Sequence, residues 1–476
     1  MFKSKIRNKI TKQHKNELVP LLFKKYFSST IQTEQKNDLN PWEYAALLKW
    51  AMKYGNINKH ETKPCIQTGL DELKQNTRDF WLACDKEDQP DSIRQYFKKY
   101  RHQQVIYGED TKTLLKLSLT RDYLIFKDNA EVNKVFHEKF NVNPLAPYHA
   151  VFGLFTLLQD NTELILSENF QILFDVFSIE FIGNFLDRFS NTESALKNKW
   201  ELEKNHDPCN DLTNPTPFID SPLLKLEDGK YRVLNNALIS FRISTFIYDF
   251  LNTHMKHFST FYGDNIFQPY VKHLYEYYQI LGFKPIKEGT DKSCDFIYQK
   301  DGQNIFIEVK SGGLNDIAKF AIQDSVVYRT LKKSILKGIS QITKTTESYN
   351  ATNTDYGLII TSSETCLDFF VQETNLTEVT DLFKNTQLTK ENVFIISISS
   401  FEKMLDLASS ESRPFHDVFS EILSLYKEDT NKYLALYGYI LDRHGDIPRI
   451  ISEGCSKLLS RLDRNPDQSD SPPDAS

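Results

Sequence analysis

The 476-residue chain holds only six cysteines, at 65, 84, 209, 294, 366 and 455. They are too scattered for a disulfide framework and read as reduced, mostly buried thiols. The mixed pair His206 and Cys209 lacks the two further ligands that a zinc site requires. No apolar run reaches the length of a membrane span. The most apolar region, 170–189, is interrupted by Asp175, Glu180, Asp187 and Arg188. Positive charge is not in excess either. A net charge of −6 excludes a globally basic nucleic-acid binder, so any such contact needs a local patch. Eleven histidines form no HExxH or HxH spacing, and there is no glycine-rich phosphate loop and no GxSxG element. Nucleotide hydrolysis and serine-esterase chemistry therefore have no basis in the sequence. Residues 3–9 lack the apolar core of a secretory signal, which makes the cytoplasm the expected compartment.

Aromatic residues are abundant, with 34 Phe and 23 Tyr, and they favour packed helices over disorder. The length suits two or three domains. The first 200 residues read as helices. The clearest is Asn40-Pro41-Trp42-Glu43 leading into 44–54. Asn40 can cap, Pro41 needs no donor, Glu43 completes a capping box, and Gly55 supplies the stop. Further helical patterns cover 68–84, 91–101, 130–140, 147–159 and 170–190, the last with one broad apolar face. We expect residues 1–200 to form an all-α recognition or sensor domain.

Residues 201–221 are polar, with Asp207-Pro208, Asn214-Pro215 and Thr216-Pro217, and read as a linker. A hairpin turning on Asp228-Gly229 follows at 222–233, then helices at 236–252 and 264–281. From Phe283 the pattern changes. Short β runs occur at 283–286, 295–299, 304–310, 356–361 and 393–398, with helices at 314–349 and 366–383. Strands interleaved with helices predict an α/β fold (α+β overall), with a central mixed sheet flanked by helices over 222–462. Residues 463–476 are polar and proline-containing, and read as a disordered tail.

Chemistry concentrates in two of these runs. Asp295 opens one, and Glu308-Val309-Lys310 closes the next. Side chains at i and i+2 of a strand share a face, so Glu308 and Lys310 do, and Asp295 can reach them from the paired strand. Two carboxylates and an ammonium suit a divalent metal and a water to be activated. Small residues, Ser293 before and Ser311-Gly312-Gly313 after, leave room for a phosphate to approach. On the helix after Lys310, residues Lys333, Lys337, Gln341 and Lys344 form one polar stripe. Leu331, Ile335, Ile339 and Ile342 form the opposite apolar one.

Over residues 261–400 this order of elements resembles the PD-(D/E)XK nuclease superfamily, with its restriction-endonuclease-like core. The resemblance implies that Asp295 and Glu308, with the Val309 backbone carbonyl, bind Mg²⁺ or Mn²⁺. It also implies that Lys310 positions the water and stabilises developing charge. Cys294 replaces the usual proline. Gln268 stands where many members carry a helix glutamate, and Asp264 reads as a cap or turn residue. Gln341 resembles a glutamine found near the active site in some members. Lys333, Lys337, Lys344 and Ser311 are the expected nucleic-acid contacts. The function so implied is metal-dependent hydrolysis of phosphodiester bonds, of DNA first. An antiviral defence effector whose N-terminal domain meets a protein trigger or partner fits this picture, and no membrane is expected. The alternative is a catalytically inactive nucleic-acid- or protein-binding module. The bland reading of the same residues is a charged edge hairpin beside a solvated amphipathic helix.

Overall fold

The computed structural model describes chiefly residues 15–28, 39–54, 111–140, 163–171, 178–202, 216–286, 293–311, 334–349, 351–362, 377–384, 386–428 and 447–460, with shorter pieces between them. The chain divides into two compact units. One comprises Met1–Asp91, Gln103–Phe250 and Glu453–Ser476; the other comprises Ser92–His102 and Leu251–Ser452. The expected linker at 201–221 is not where the division falls. Its last part, Thr216–Asp220, is a short helix, and 203–215 lie outside the described residues. The expected tail at 463–476 lies outside them as well.

In the first unit, helices α1 (Lys15–Phe27), α2 (Pro41–Tyr54), α3 (Thr111–Phe126), α4 (Ala130–Phe140), α5 (Ile179–Arg188), α6 (Glu193–Leu202) and α7 (Asn236–His254) are the longer elements. The start of α2 follows the capping box. The Asn40 N–H donates to Glu43 Oε2 at 2.7 Å. The pattern expected as one helix over 170–190 is interrupted. Ser178 is extended and its Oγ accepts from the Phe181 N–H, so α5 starts there.

This unit is not all-α. It contains a four-stranded sheet of β1 (Glu163–Leu164), β2 (Ser190–Asn191), β3 (Leu223–Lys225) and β4 (Tyr231–Val233), in the order β1-β4-β3-β2. The expected hairpin is β3–β4, turning at Gly229 with φ +80°. It pairs with β1 and β2 rather than opening the second unit. Strands of two or three residues are too short to show a two-residue period, which is why the sequence hides them.

The second unit is built on a five-stranded sheet. Its strands are β5 (Phe283–Pro285), β6 (Phe296–Lys300), β7 (Gln303–Lys310), β8 (Tyr356–Thr361) and β9 (Val393–Ser397), in sequential order. The pairs β5–β6 and β6–β7 are antiparallel, whereas β7–β8 and β8–β9 are parallel. Asp301 and Gly302 both take positive φ, 53° and 77°, in the two-residue β6–β7 turn, as a type I′ hairpin demands. The runs Gly357-Leu-Ile-Ile and Val393-Phe-Ile-Ile are buried, as strands covered on both faces must be.

On one face lies α10 (Ile335–Ser348), whose Ile335, Ile339 and Ile342 pack with Ile297, Phe306 and Ile359. The expected start of this helix at 314 lies outside the described residues. On the other face Phe296 meets Tyr275 of α9 (Gln268–Tyr277). There too Tyr298 meets Phe415, which opens α12 (Phe415–Glu428) after α11 (Ile398–Ser410). The helix expected over 264–281 is composite. Short α8 (Phe258–Tyr262) runs through a π turn, Gly263–Phe267, into α9. Pro269 cannot donate, and its ring would meet the carbonyl four residues back in a regular helix. The wider turn stands at that point.

Candidate functional site

The β6–β7 register fixes the centre. Phe296 pairs with Ile307 and Ile297 with Phe306, so one further step sets Asp295 opposite Glu308. Alternation then puts Asp295, Glu308 and Lys310 on the α10 face of the sheet. The Lys310 ammonium makes an ion pair with Glu308 Oε1 and donates to Gln341 Oε1 at 2.8 Å. Gln341 Nε2 donates to the Ser293 carbonyl at 3.1 Å, which leaves its oxygen turned toward Lys310. Asp295 is held on both oxygens. Gln268 Nε2 donates to Oδ1 at 2.8 Å and the Val309 N–H donates to Oδ2 at 2.7 Å. In an extended strand the N–H and C=O of one residue point to the same edge. The Val309 carbonyl therefore lies on the edge that Asp295 occupies.

The electrostatics are those of a buried acid pair. Glu308 is 1% exposed, and its Oε2 has no hydrogen-bond partner among the described residues. Burial, and then the charge of Asp295, push the Glu308 carboxyl up to about 8, with Lys310 and the more distant Lys337 opposing. Burial also raises Asp295, against the Val309 N–H and Lys310, and Asp264 adds to the rise. Asp264 sits in a turn, as expected. It lies exposed in the π turn, one helical turn before Gln268, and its charge is felt at Asp295.

Helix α10 comes close because residue 338 is glycine. A Cβ there would stand 3.2 Å from Lys310 Cε and 3.4 Å from Glu308 Cγ. The polar stripe of α10 splits in two. Lys337 and Lys344 are exposed, whereas Gln341 is half-buried and belongs to the centre. Lys333 lies outside the described residues, as do Leu331, Gly312, Gly313, His206 and Cys209. Ser311 is half-buried beside Lys310. Its hydroxyl donates to the Ser259 carbonyl at 3.3 Å, and its carbonyl accepts from Ser362 Oγ at 2.9 Å.

Sequence reasoning brought together Asp295, Glu308, Lys310, Gln268 and Gln341, and the structure does the same. It missed Gly338 and Thr345, and it read Ser293 only as a small residue that leaves room, not as the carbonyl that Gln341 binds. A glycine inside a helical pattern was the available signal for Gly338. Thr345 stands four residues after Gln341, so it shares that face of the helix.

Among the described residues, no group of three or more His, Cys, Asp or Glu side chains is gathered for a metal ion. Magnesium does not require one. It keeps several waters and is commonly held by one or two carboxylates with substrate phosphates. Hard oxygens from Asp295 and Glu308, one of them buried and unpartnered, fit that ion. Also among the described residues, no helix is long and apolar enough to cross a membrane. Comparison with family models, curated proteins and solved structures finds no match to this chain.

Proposed function

We propose that the second unit is a metal-dependent nuclease centre of the PD-(D/E)XK kind, with a restriction-endonuclease-like core, acting on DNA. The observation that carries this reading is Glu308 Oε2, a buried carboxylate oxygen without a described partner, set opposite Asp295 and beside Lys310. Burying that oxygen unpaired and charged is costly; a proton relieves the cost in the metal-free protein, and a divalent cation would relieve it in the loaded one. Asp295, Glu308 and the Val309 carbonyl would hold Mg²⁺ or Mn²⁺. When bound, the ion supplies Lewis acidity toward a phosphoryl oxygen and a lowered pKa for a coordinated water. Lys310 holds a positive charge where negative charge grows in the transition state, and Gln341 fixes its ammonium. Gln268 and the Val309 N–H keep Asp295 oriented. Exposed Lys337 and Lys344 offer the phosphate backbone two cations.

Asp295→Ala, Glu308→Ala and Lys310→Ala are each expected to lower cleavage by about a hundredfold or more while the circular dichroism stays native. The assay uses plasmid, linear duplex and single-stranded substrates with Mg²⁺ or Mn²⁺. Equal cleavage by wild type and Lys310→Ala would overturn the reading. An antiviral effector with a recognition role for the N-terminal region is the setting we propose. Loss of protection in cells carrying Lys310→Ala tests it.

One observation favours a second reading, a nuclease-like module that binds without cutting. The helix position expected for an acid is an amide, Gln268, which already satisfies Asp295 Oδ1. On that reading calorimetry detects no Mn²⁺ binding that depends on Asp295 and Glu308.

A further inference from the structure

The residues leading into Asp295 are fastened to α10 at two consecutive positions. The Ser293 carbonyl accepts from Gln341 Nε2 at 3.1 Å, and the Cys294 N–H donates to Thr345 Oγ1 at 2.8 Å. Gln341 and Thr345 are one helical turn apart, so both bonds come from one face of the helix. Thr345 is 3% exposed and Cys294 is 2% exposed, so water does not compete. The Thr345 hydroxyl proton is committed elsewhere, donated to the Gln341 carbonyl at 2.8 Å. That bond leaves an oxygen lone pair for Cys294. The Cys294 thiol also faces Thr345, and its Sγ donates to the Phe296 carbonyl at 3.4 Å, so a Cys294→Ala control separates the thiol from the backbone N–H.

We infer that Thr345 is a positioning residue for Asp295, acting through the backbone N–H of Cys294. This rests on the reading of Asp295 and Glu308 as metal ligands. The Asp295 carboxyl is held by Gln268 and Val309 and its carbonyl accepts from the Ile286 N–H at 3.0 Å, while the approach to its N–H side is held by residues 293 and 294 on α10. The substitution of Cys294 for the usual proline then has a structural meaning. Proline has no N–H, so it could not make this bond. Valine at 345 matches threonine in shape but lacks the acceptor, and it strands a buried N–H. Serine keeps the acceptor.

The test is Mn²⁺ titration by calorimetry on the full chain. Wild type is compared with Thr345→Val, Thr345→Ser, Cys294→Pro, Cys294→Ala and Asp295→Ala, with melting temperature measured in EDTA. Changes to groups behind a ligand cost about 10–100-fold in metal affinity. Thr345→Val and Cys294→Pro are expected to lose about tenfold or more, while Thr345→Ser and Cys294→Ala stay within about threefold. A purely structural role would lower the melting temperature and leave the Mn²⁺ affinity of the folded protein unchanged. That result, or equal affinity for Cys294→Pro and Cys294→Ala, overturns the inference while the metal reading stands. If wild type and Asp295→Ala bind Mn²⁺ alike, the metal reading itself fails, and the inference with it. Should Thr345→Val not fold, the two Cys294 variants decide.

Discussion

Glu308 sits where burial and a second carboxylate both oppose its charge, and a pH dependence follows from that. Its carboxyl is raised from 4.5 to about 8. Between those values an unfolded chain has lost this proton and the folded one keeps it. The stabilising contribution of the protonated group is therefore full below about pH 4.5 and fades as pH rises toward 8. A divalent cation demands the carboxylate and competes with the proton. Mn²⁺ affinity should thus rise about tenfold per pH unit below about pH 8 and level off above it. Asp295, also raised, pushes the dependence the same way. Calorimetry in buffers of different ionisation enthalpy counts the proton released on binding. Release of about one proton near pH 7 is expected, and Glu308→Gln should remove most of the release and of the slope, leaving only what Asp295 contributes. A flat affinity profile would show that the cation does not use this carboxylate.

At the level of elements, two glycines separate packing from chemistry. A glycine inside a helix costs about 1 kcal/mol relative to alanine. Gly338 bears that cost where a Cβ would meet Lys310 Cε at 3.2 Å, Ile359 Cδ1 at 3.3 Å and Glu308 Cγ at 3.4 Å. At Gly357 of β8 a Cβ would meet Ile342 Cγ2 at 2.9 Å and Val393 Cγ2 at 3.1 Å, both apolar. Gly338→Ala should leave stability within about 1 kcal/mol, as helix propensity offsets crowding, yet lower cleavage about tenfold by displacing Lys310. Gly357→Ala should cost about 1–3 kcal/mol of stability and leave metal affinity unchanged. Denaturant titration with cleavage assays on both variants checks the contrast. Full cleavage by Gly338→Ala would deny the close approach a functional role.

The same contrast marks what was legible beforehand. Strands β6 to β9 could be read because their apolar runs are long and bounded by turn residues, and Glu308 and Lys310 because i and i+2 share a face. Asp295 followed because the two runs, separated by a short polar stretch, read as paired strands. What Gly338, Thr345 and the Ser293 carbonyl touch depends on how α10 crosses the sheet, a tertiary fact that a helix glycine and a four-residue step do not fix by themselves. The two- and three-residue strands of the first unit carry too little pattern to declare themselves, and the π turn at Gly263 has no periodicity of its own.

For the whole molecule, charge sets the terms on which nucleic acid can bind. The chain carries −6 overall, so its general field repels a phosphate backbone, and attraction must come from a few local cations. Lys337 and Lys344 are exposed on α10 and separated along its axis by roughly 10 Å, at 1.5 Å per residue. Lys337 is near enough to the centre for its charge to be felt at Glu308, so a strand following these lysines would lead toward the acids. Each phosphate neutralised contributes about 0.9 to the slope of log K against log salt on duplex DNA. Wild type should therefore show a shallow slope for a protein of this size. The double variant Lys337→Ala, Lys344→Ala should lose about two from it, weakening all sequences alike. Fluorescence anisotropy on labelled duplex from about 50 to 200 mM salt, in EDTA to prevent cleavage, measures both slopes. An unchanged slope would mean that the backbone runs elsewhere, and that α10 serves the centre through Gln341 and Thr345 alone.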